Sequence, residues 1–120
     1  KPWVVCDTGH NAHGISYVAS MLKASASRYN RQIIVLGFAR EKNIDDILPL
    51  LPREAYYIFT QANVSRAMPA EELARRAAEA GLQGEKCQSV EEAMARAKEI
   101  ATPEDMIFVG GSNFVVAEVL

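Results

Sequence analysis

The stretch VVCDTGHNAHG, residues 4–14, sets an apolar run directly against an acid, a glycine and two histidines. An apolar run that halts at a polar, glycine-punctuated turn is how a buried parallel strand delivers functional groups to the edge of a sheet. Asp7 stands at the strand end, and Gly9 lets the backbone turn or approach a ligand closely. A helix is predicted to begin within a few residues, with its free N–H groups pointing outward, and such a terminus favours an anion. His10 can then reach a phosphate or carboxylate while Asp7 holds the imidazole or a cation. The plainer reading of the same residues is that Asp7 caps the helix and His13 lies on the helix surface. A metal site from Asp7, His10 and His13 is the third reading. The spacing straddles a turn, however, and no further Cys or His is near in sequence.

Three other segments share this polar, glycine-rich character: GFAREKN, TQANVSRAMP and GGSN, each following an apolar run. In an open α/β sheet, ligands bind beyond the carboxyl ends of the strands, where successive crossovers go opposite ways. The connections at the other end, such as SASRYNR and ATPED, are plainer, and that asymmetry locates the working face. Lys42 and Arg66 lie on that rim with His10. One loop cation is usually just solvated, but two on the rim chosen by the fold point to an acidic ligand. GGSN offers consecutive backbone N–H groups and the Ser112 hydroxyl ahead of a helix, a nest for a carboxylate or phosphate. Neither a G-x-x-x-x-G-K-[ST] loop nor a G-x-G-x-x-G turn after the first strand occurs, so a nucleotide handled here needs another domain to hold most of it.

The elements that must position these groups alternate strand with helix, the signature of an α/β fold: an open, mainly parallel, Rossmann-like sheet with helices on both faces. The strands are expected at Trp3 to Cys6, Gln32 to Leu36, Ala55 to Phe59, Glu85 to Gln88 and Met106 to Val109. The fourth, with its polar EKCQ, belongs at a sheet edge. Helix one is expected over about His13 to Ser27, with Ile15, Val18, Ala19 and Leu22 on one stripe. Asn43 is expected to cap helix two, and Pro49 to end or kink it. Helix three carries Pro69 near its first turn and Gly81 at its C-terminus; helix four opens on Ser89 with Glu92 three residues on, a capping box.

The chain has 120 residues and net charge −2, 49% hydrophobic and 23% charged, which suits one soluble globular domain. No basic field is present to attract nucleic acid, no apolar run reaches the length of a membrane span, and no signal-peptide core opens the chain, so a cytoplasmic protein is expected. Cys6 and Cys87 cannot form a disulfide framework; a thiol at the end of an apolar strand behaves as a small hydrophobe.

The motifs together resemble a known family. VVCDTGHNAHG resembles the D-G-A-H-N-P-x-G stretch that opens the C-terminal domain of folylpolyglutamate and dihydrofolate synthases, members of the Mur ligase superfamily. VLGFAREKNIDDIL is similar to their FG-x-x-x-D-K-D segment, FTQANVSRAMPAEEL to their T-x-A-x-x-P-R-A segment, and VGGSNFVVAEVL to their closing G-S-x-x-x-V-A-E-V. Thr8, Gly9, Ala12 and Ser65 depart from the usual residues, and Glu41 with Asn43 flanks Lys42 where two aspartates are usual.

The resemblance implies an ATP-dependent ligase in which ATP and Mg2+ are held mainly by a separate N-terminal ATPase domain. That domain would activate the carboxylate of a folate or dihydropteroate as an acyl phosphate, which the amine of L-glutamate attacks. It further implies that Asp7 and His10 face the reacting phosphates and glutamate and that Asp7, Gly9, His10 and Asn11 lie on the nucleotide side. Lys42 and Ser112 would hold glutamate carboxylate, and Arg66 would read the amino acid. Residues 1–120 are expected to be a single C-terminal domain of a longer enzyme, inactive when isolated. Convergence of DTGHN with GGSN suggests the strand order 5-1-2-3-4. Two alternatives are another Mur-type amino-acid ligase domain and a stand-alone α/β module that binds a small anion.

Overall fold

The computed structural model describes residues 3–6 and 12–119. Five parallel strands form one sheet: β1 (Trp3–Cys6), β2 (Gln32–Leu36), β3 (Tyr56–Phe59), β4 (Gly84–Lys86) and β5 (Met106–Gly110). Between and after them run α1 (Ala12–Ser25), α2 (Ile44–Ile47), α3 (Ala70–Glu79), α4 (Val90–Ile100) and α5 (Asn113–Val119). The fold is the α/β architecture expected from the alternation of strands and helices.

Period-two alternation divides the core. Ile34 and Leu36 of β2, Tyr57 and Phe59 of β3, and Met106 and Phe108 of β5 pack on one face against Val18, Ala19 and Leu22 of α1, Ile44 and Ile47 of α2, and Leu73 and Ala77 of α3. The intervening residues Ile33, Val35, Ile58, Ile107 and Val109 pack on the other face against Val90, Ala93, Met94 and Ala97 of α4 and Val115 of α5. Strands covered on both sides must be apolar throughout, and β2 and β5 are buried at every position. The one polar side chain in β2, Gln32, is satisfied by donating to the Leu22 carbonyl at 2.7 Å.

The strand order is β1-β5-β2-β3-β4, which corrects the expected 5-1-2-3-4. Strands one and five are neighbours as anticipated, but β5 enters between β1 and β2 and leaves β1 at the edge. The apolar MIFVG segment belongs in an interior slot, and glycines at the carboxyl ends of β2 and β5 let those two backbones approach. Gly37 N–H donates to the Gly110 carbonyl at 3.3 Å. A Cβ on Gly37 would lie 2.8 Å from Val115 Cγ2 and 2.9 Å from the Thr60 carbonyl oxygen. The other edge is β4, as its polar sequence requires, and it is shorter than expected.

Local signals set the helix ends. At the end of α3, Gly81 takes φ 90°. There Leu82 N–H donates to Ala77 O at 3.0 Å and Gly81 N–H to Ala78 O at 3.1 Å, the paired bonds of a Schellman ending. Pro49 sits in a 3-10 turn, Leu48–Leu50, that ends α2. Asn43 precedes α2 without capping it; its amide donates to Asp46 Oδ2 at 2.8 Å instead. Ser89 does cap α4, its Oγ accepting from Glu92 N–H at 3.1 Å. Ser89→Ala is expected to lower stability by about 1 kcal/mol and Ser89→Gly by only a few tenths. Urea unfolding checks this, and an unchanged midpoint for the alanine variant would mean that the cap contributes nothing.

At the amino-terminal rim the buried Asp105 carboxylate accepts from Thr102 N–H at 2.8 Å and from Arg31 at 3.4 Å, while Arg31 also donates to the Ile100 carbonyl at 2.8 Å. That charge ties the α4–β5 turn to the start of β2 and lies at the end of the sheet away from the candidate loops.

Candidate functional site

Neighbouring strands β5 and β2 send the chain to opposite faces. α5 follows β5 and packs beside α4, whereas α2 follows β2 and packs beside α1 and α3. Their carboxyl ends therefore mark the switch point at which open α/β sheets bind ligands. The registers Cys6↔Val109 and Leu36↔Gly110 end β1, β5 and β2 at one level. The loop after β5 thus lies between the ends of β1 and β2, a placement that follows from the corrected strand order.

Two of the rim loops are joined to each other. Ala39 and Ala67 form an antiparallel bridge, flanked by Arg40 N–H to Arg66 O at 2.7 Å and Met68 N–H to Phe38 O at 2.8 Å. A turn closed by Lys42 N–H to Ala39 O at 3.1 Å follows at once. The clasp brings together Lys42 and Arg66, which the sequence places on separate loops.

The two cations differ in their surroundings. Arg66 is paired with Glu41 on the same clasp. The Glu41 carboxyl is held below its ordinary range first by a backbone hydrogen bond and then by Arg66, so it is ionised at neutral pH. Lys42 is half-buried and makes no ion pair among the described residues. The acids nearest to it in sequence are mostly engaged elsewhere: Asp45 with Arg76 at 2.8 Å, Asp46 with Asn43, and Glu41 with Arg66.

Ser112 is buried, 5% exposed, and its Oγ accepts from Val115 N–H at 3.2 Å, which makes it the N-cap of α5. That bond leaves the hydroxyl proton free to donate. Gly111, just before it, has φ 102°, and a Cβ there would fall far inside contact distance of the Gly37 carbonyl oxygen. Thr60, at the end of β3, is fully buried with an Oγ1 that has no hydrogen-bond partner among the described residues.

Asp7, Gly9, His10 and Asn11 lie outside the described residues, as does any metal arrangement built on Asp7, His10 and His13. Among the described residues no group of three His, Cys, Asp or Glu could hold a metal ion, and no helix is long and apolar enough to cross a membrane. Cys87 is half-buried, and burial pushes its thiol pKa up, with Glu85 and Glu92 adding to the effect. It is therefore a poor nucleophile.

The family model described as Mur ligase, glutamate ligase domain matches residues 1–113. The probable bifunctional folylpolyglutamate synthase/dihydropteroate synthase of Haloferax volcanii is 31% identical over 125 residues, covering 98% of this chain and 14% of that protein. Among solved structures, E. coli FolC in complex with DHPP and ADP matches with a TM-score of 0.85 at 28% identity, over 97% of this chain and 27% of that one. Mycobacterium tuberculosis folylpolyglutamate synthase complexed with ADP matches with a TM-score of 0.82 at 26% identity, over 97% and 28%. The chain thus spans only a minor part of the length of the relatives it matches.

Proposed function

The chain belongs to the Mur ligase glutamate-ligase domain family, and on that premise we propose that it is the amino-acid-binding domain of an ATP-dependent ligase that joins L-glutamate to a folate or dihydropteroate. The observation that carries this reading is Lys42, a half-buried rim cation without an ion pair among the described residues, on the same clasp as Arg66. A dicarboxylic amino acid brings two carboxylates that need donors. Lys42 supplies a point charge and Arg66 a planar fork, and together they fit that demand. Ser112 adds a hydroxyl donor from the loop after β5, which lies between the carboxyl ends of β1 and β2.

In this reading Asp7 and His10 stand at the reacting phosphates, with Gly9 and Asn11 beside the nucleotide, at the mouth of β1. ATP, when bound, supplies the phosphoryl group that activates the acceptor carboxylate. We assign ATP and Mg2+ mainly to a preceding N-terminal ATPase domain of a cytoplasmic enzyme, in line with the sequence, which carries no G-x-x-x-x-G-K-[ST] loop. The part played by this domain is to bind glutamate by its carboxylates and turn its amine toward the activated carbonyl. Holding an attacking amine in place removes much of the entropic cost of the encounter.

Lys42→Ala in the full-length enzyme is expected to raise KM for glutamate about ten-fold or more and leave KM for ATP nearly unchanged, because a charge-assisted hydrogen bond to carboxylate contributes ~1.5–3 kcal/mol. Arg66→Ala acts in the same direction, and Arg66→Lys recovers little. Ser112→Ala is the less clean probe, since it also removes the α5 cap. Glutamate titrations at saturating ATP and folate decide. Unchanged glutamate KM in Lys42→Ala, with a raised ATP KM, would move the amino acid off these loops.

A further inference from the structure

The ion pair on the clasp joins two residues of unequal standing: Arg66 belongs to the proposed glutamate site, whereas Glu41 has no part in it. We propose that Glu41 is a positioning residue that occupies the Arg66 guanidinium with an internal carboxylate, and that substrate glutamate binds by exchanging places with it. The proposal rests on the reading of Arg66 as a glutamate ligand.

The backbone brings the pair together. The Ala39–Ala67 bridge and its two flanking hydrogen bonds fix the distance between the loops, and the turn from Ala39 to Lys42 carries Glu41 beside Arg66. The two side chains are 64% and 53% exposed, so solvent screens the pair and its partners can exchange. A buried pair would resist exchange, because losing one partner strands a charge away from water. The chemistry also matches, since the side chain of Glu41 ends in the same carboxylate as the γ-carboxyl of free glutamate. Exchange keeps the guanidinium partnered in both states. An amino acid with a single carboxylate is satisfied by Lys42 alone and leaves the Glu41–Arg66 pair intact, so displacing Glu41 rewards the second carboxylate.

The test uses the full-length ligase with glutamate varied at saturating ATP and folate. Glu41→Gln removes the competing charge and is expected to lower glutamate KM by about two- to five-fold, the range set by exposed ion pairs. The effect falls on KM rather than kcat. In an Arg66→Ala background the same substitution should leave KM where Arg66→Ala put it. A rise in KM, or no change, in Glu41→Gln alone overturns the exchange. So does an equal fall in the Arg66→Ala background, which would show that Glu41 acts on the substrate without Arg66. If Arg66→Ala raises KM while Glu41→Gln is inert, only this proposal falls. If Lys42→Ala and Arg66→Ala both leave glutamate KM unchanged, the placement of glutamate falls and this proposal with it.

Discussion

Gly111→Ala is expected to cost the domain about 3 kcal/mol or more, lowering the melting temperature by roughly 10 °C. Two penalties coincide at this position. The backbone has φ 102°, where a side chain is strained in any surroundings, and the new Cβ would press on the Gly37 carbonyl oxygen. Main chain on both sides of the contact cannot swing aside as a flexible side chain would. Gly81 provides the internal comparison. Its φ of 90° is similarly unfavourable, but the nearest atom to its Cβ is the Arg53 Nε at 3.4 Å, the movable end of a side chain. Gly81→Ala should therefore cost only about 1 kcal/mol. Thermal and urea unfolding of the two variants beside the parent chain measure the difference. Equal losses would mean that the close approach of β2 and β5 contributes nothing and that backbone conformation alone sets the cost.

For the ligase proposed above, His10→Ala in the full-length enzyme is expected to lower kcat by roughly 10²–10³-fold while leaving the melting temperature nearly unchanged. A donor that meets charge developing at a reacting phosphate acts chiefly in the transition state, so its loss is read in kcat rather than in stability. β1 leads into this residue and ends level with the Gly110–Ser112 loop, beside the switch point. The variant's kcat, KM values and melting curve decide the matter together. A large fall in melting temperature with near-normal kcat would make His10 a structural residue.

Features governed by neighbouring residues were the ones legible in the sequence. Apolar runs located β1, β2, β3 and β5, the polar EKCQ put β4 at an edge, and Ser89 and Gly81 marked helix ends, because each depends on residues a few positions away. Strand order was not legible in this way. The convergence of two loops required β1 and β5 to be neighbours and was silent on which side β5 would lie. The informative signal was the matching of Gly37 with Gly110 and Gly111, two glycine-marked strand ends that only adjacent strands require. Asn43 misled because Asp46 N–H donates to the Asn43 backbone carbonyl rather than to its side chain, whose amide donates instead to the Asp46 carboxylate.

At the candidate site, the rule that ligands gather at strand ends selected the loops of Lys42, Arg66 and Ser112. It could not reveal that the first two share a clasp, that Ser112 caps a helix, or that Glu41 pairs with Arg66. Those are contacts between distant positions or choices among several hydrogen-bond partners. The parts assigned to Asp7 and His10 rest on residue type and motif spacing.

The interior position of β5 also bears on the order in which the domain assembles. Among the described residues β1 pairs with β5 alone, and Trp3 is in register with Met106, so this pairing closes a loop of nearly the whole chain. β2, β3 and β4 can pair in succession as each emerges from synthesis, but β1 has no strand to dock against until β5 has formed on the flank of β2. The strand that leads into Asp7 and His10 is thus secured by the latest-made strand of the sheet. A nascent chain can therefore pair three strands of its sheet before its β1 edge is fixed in place.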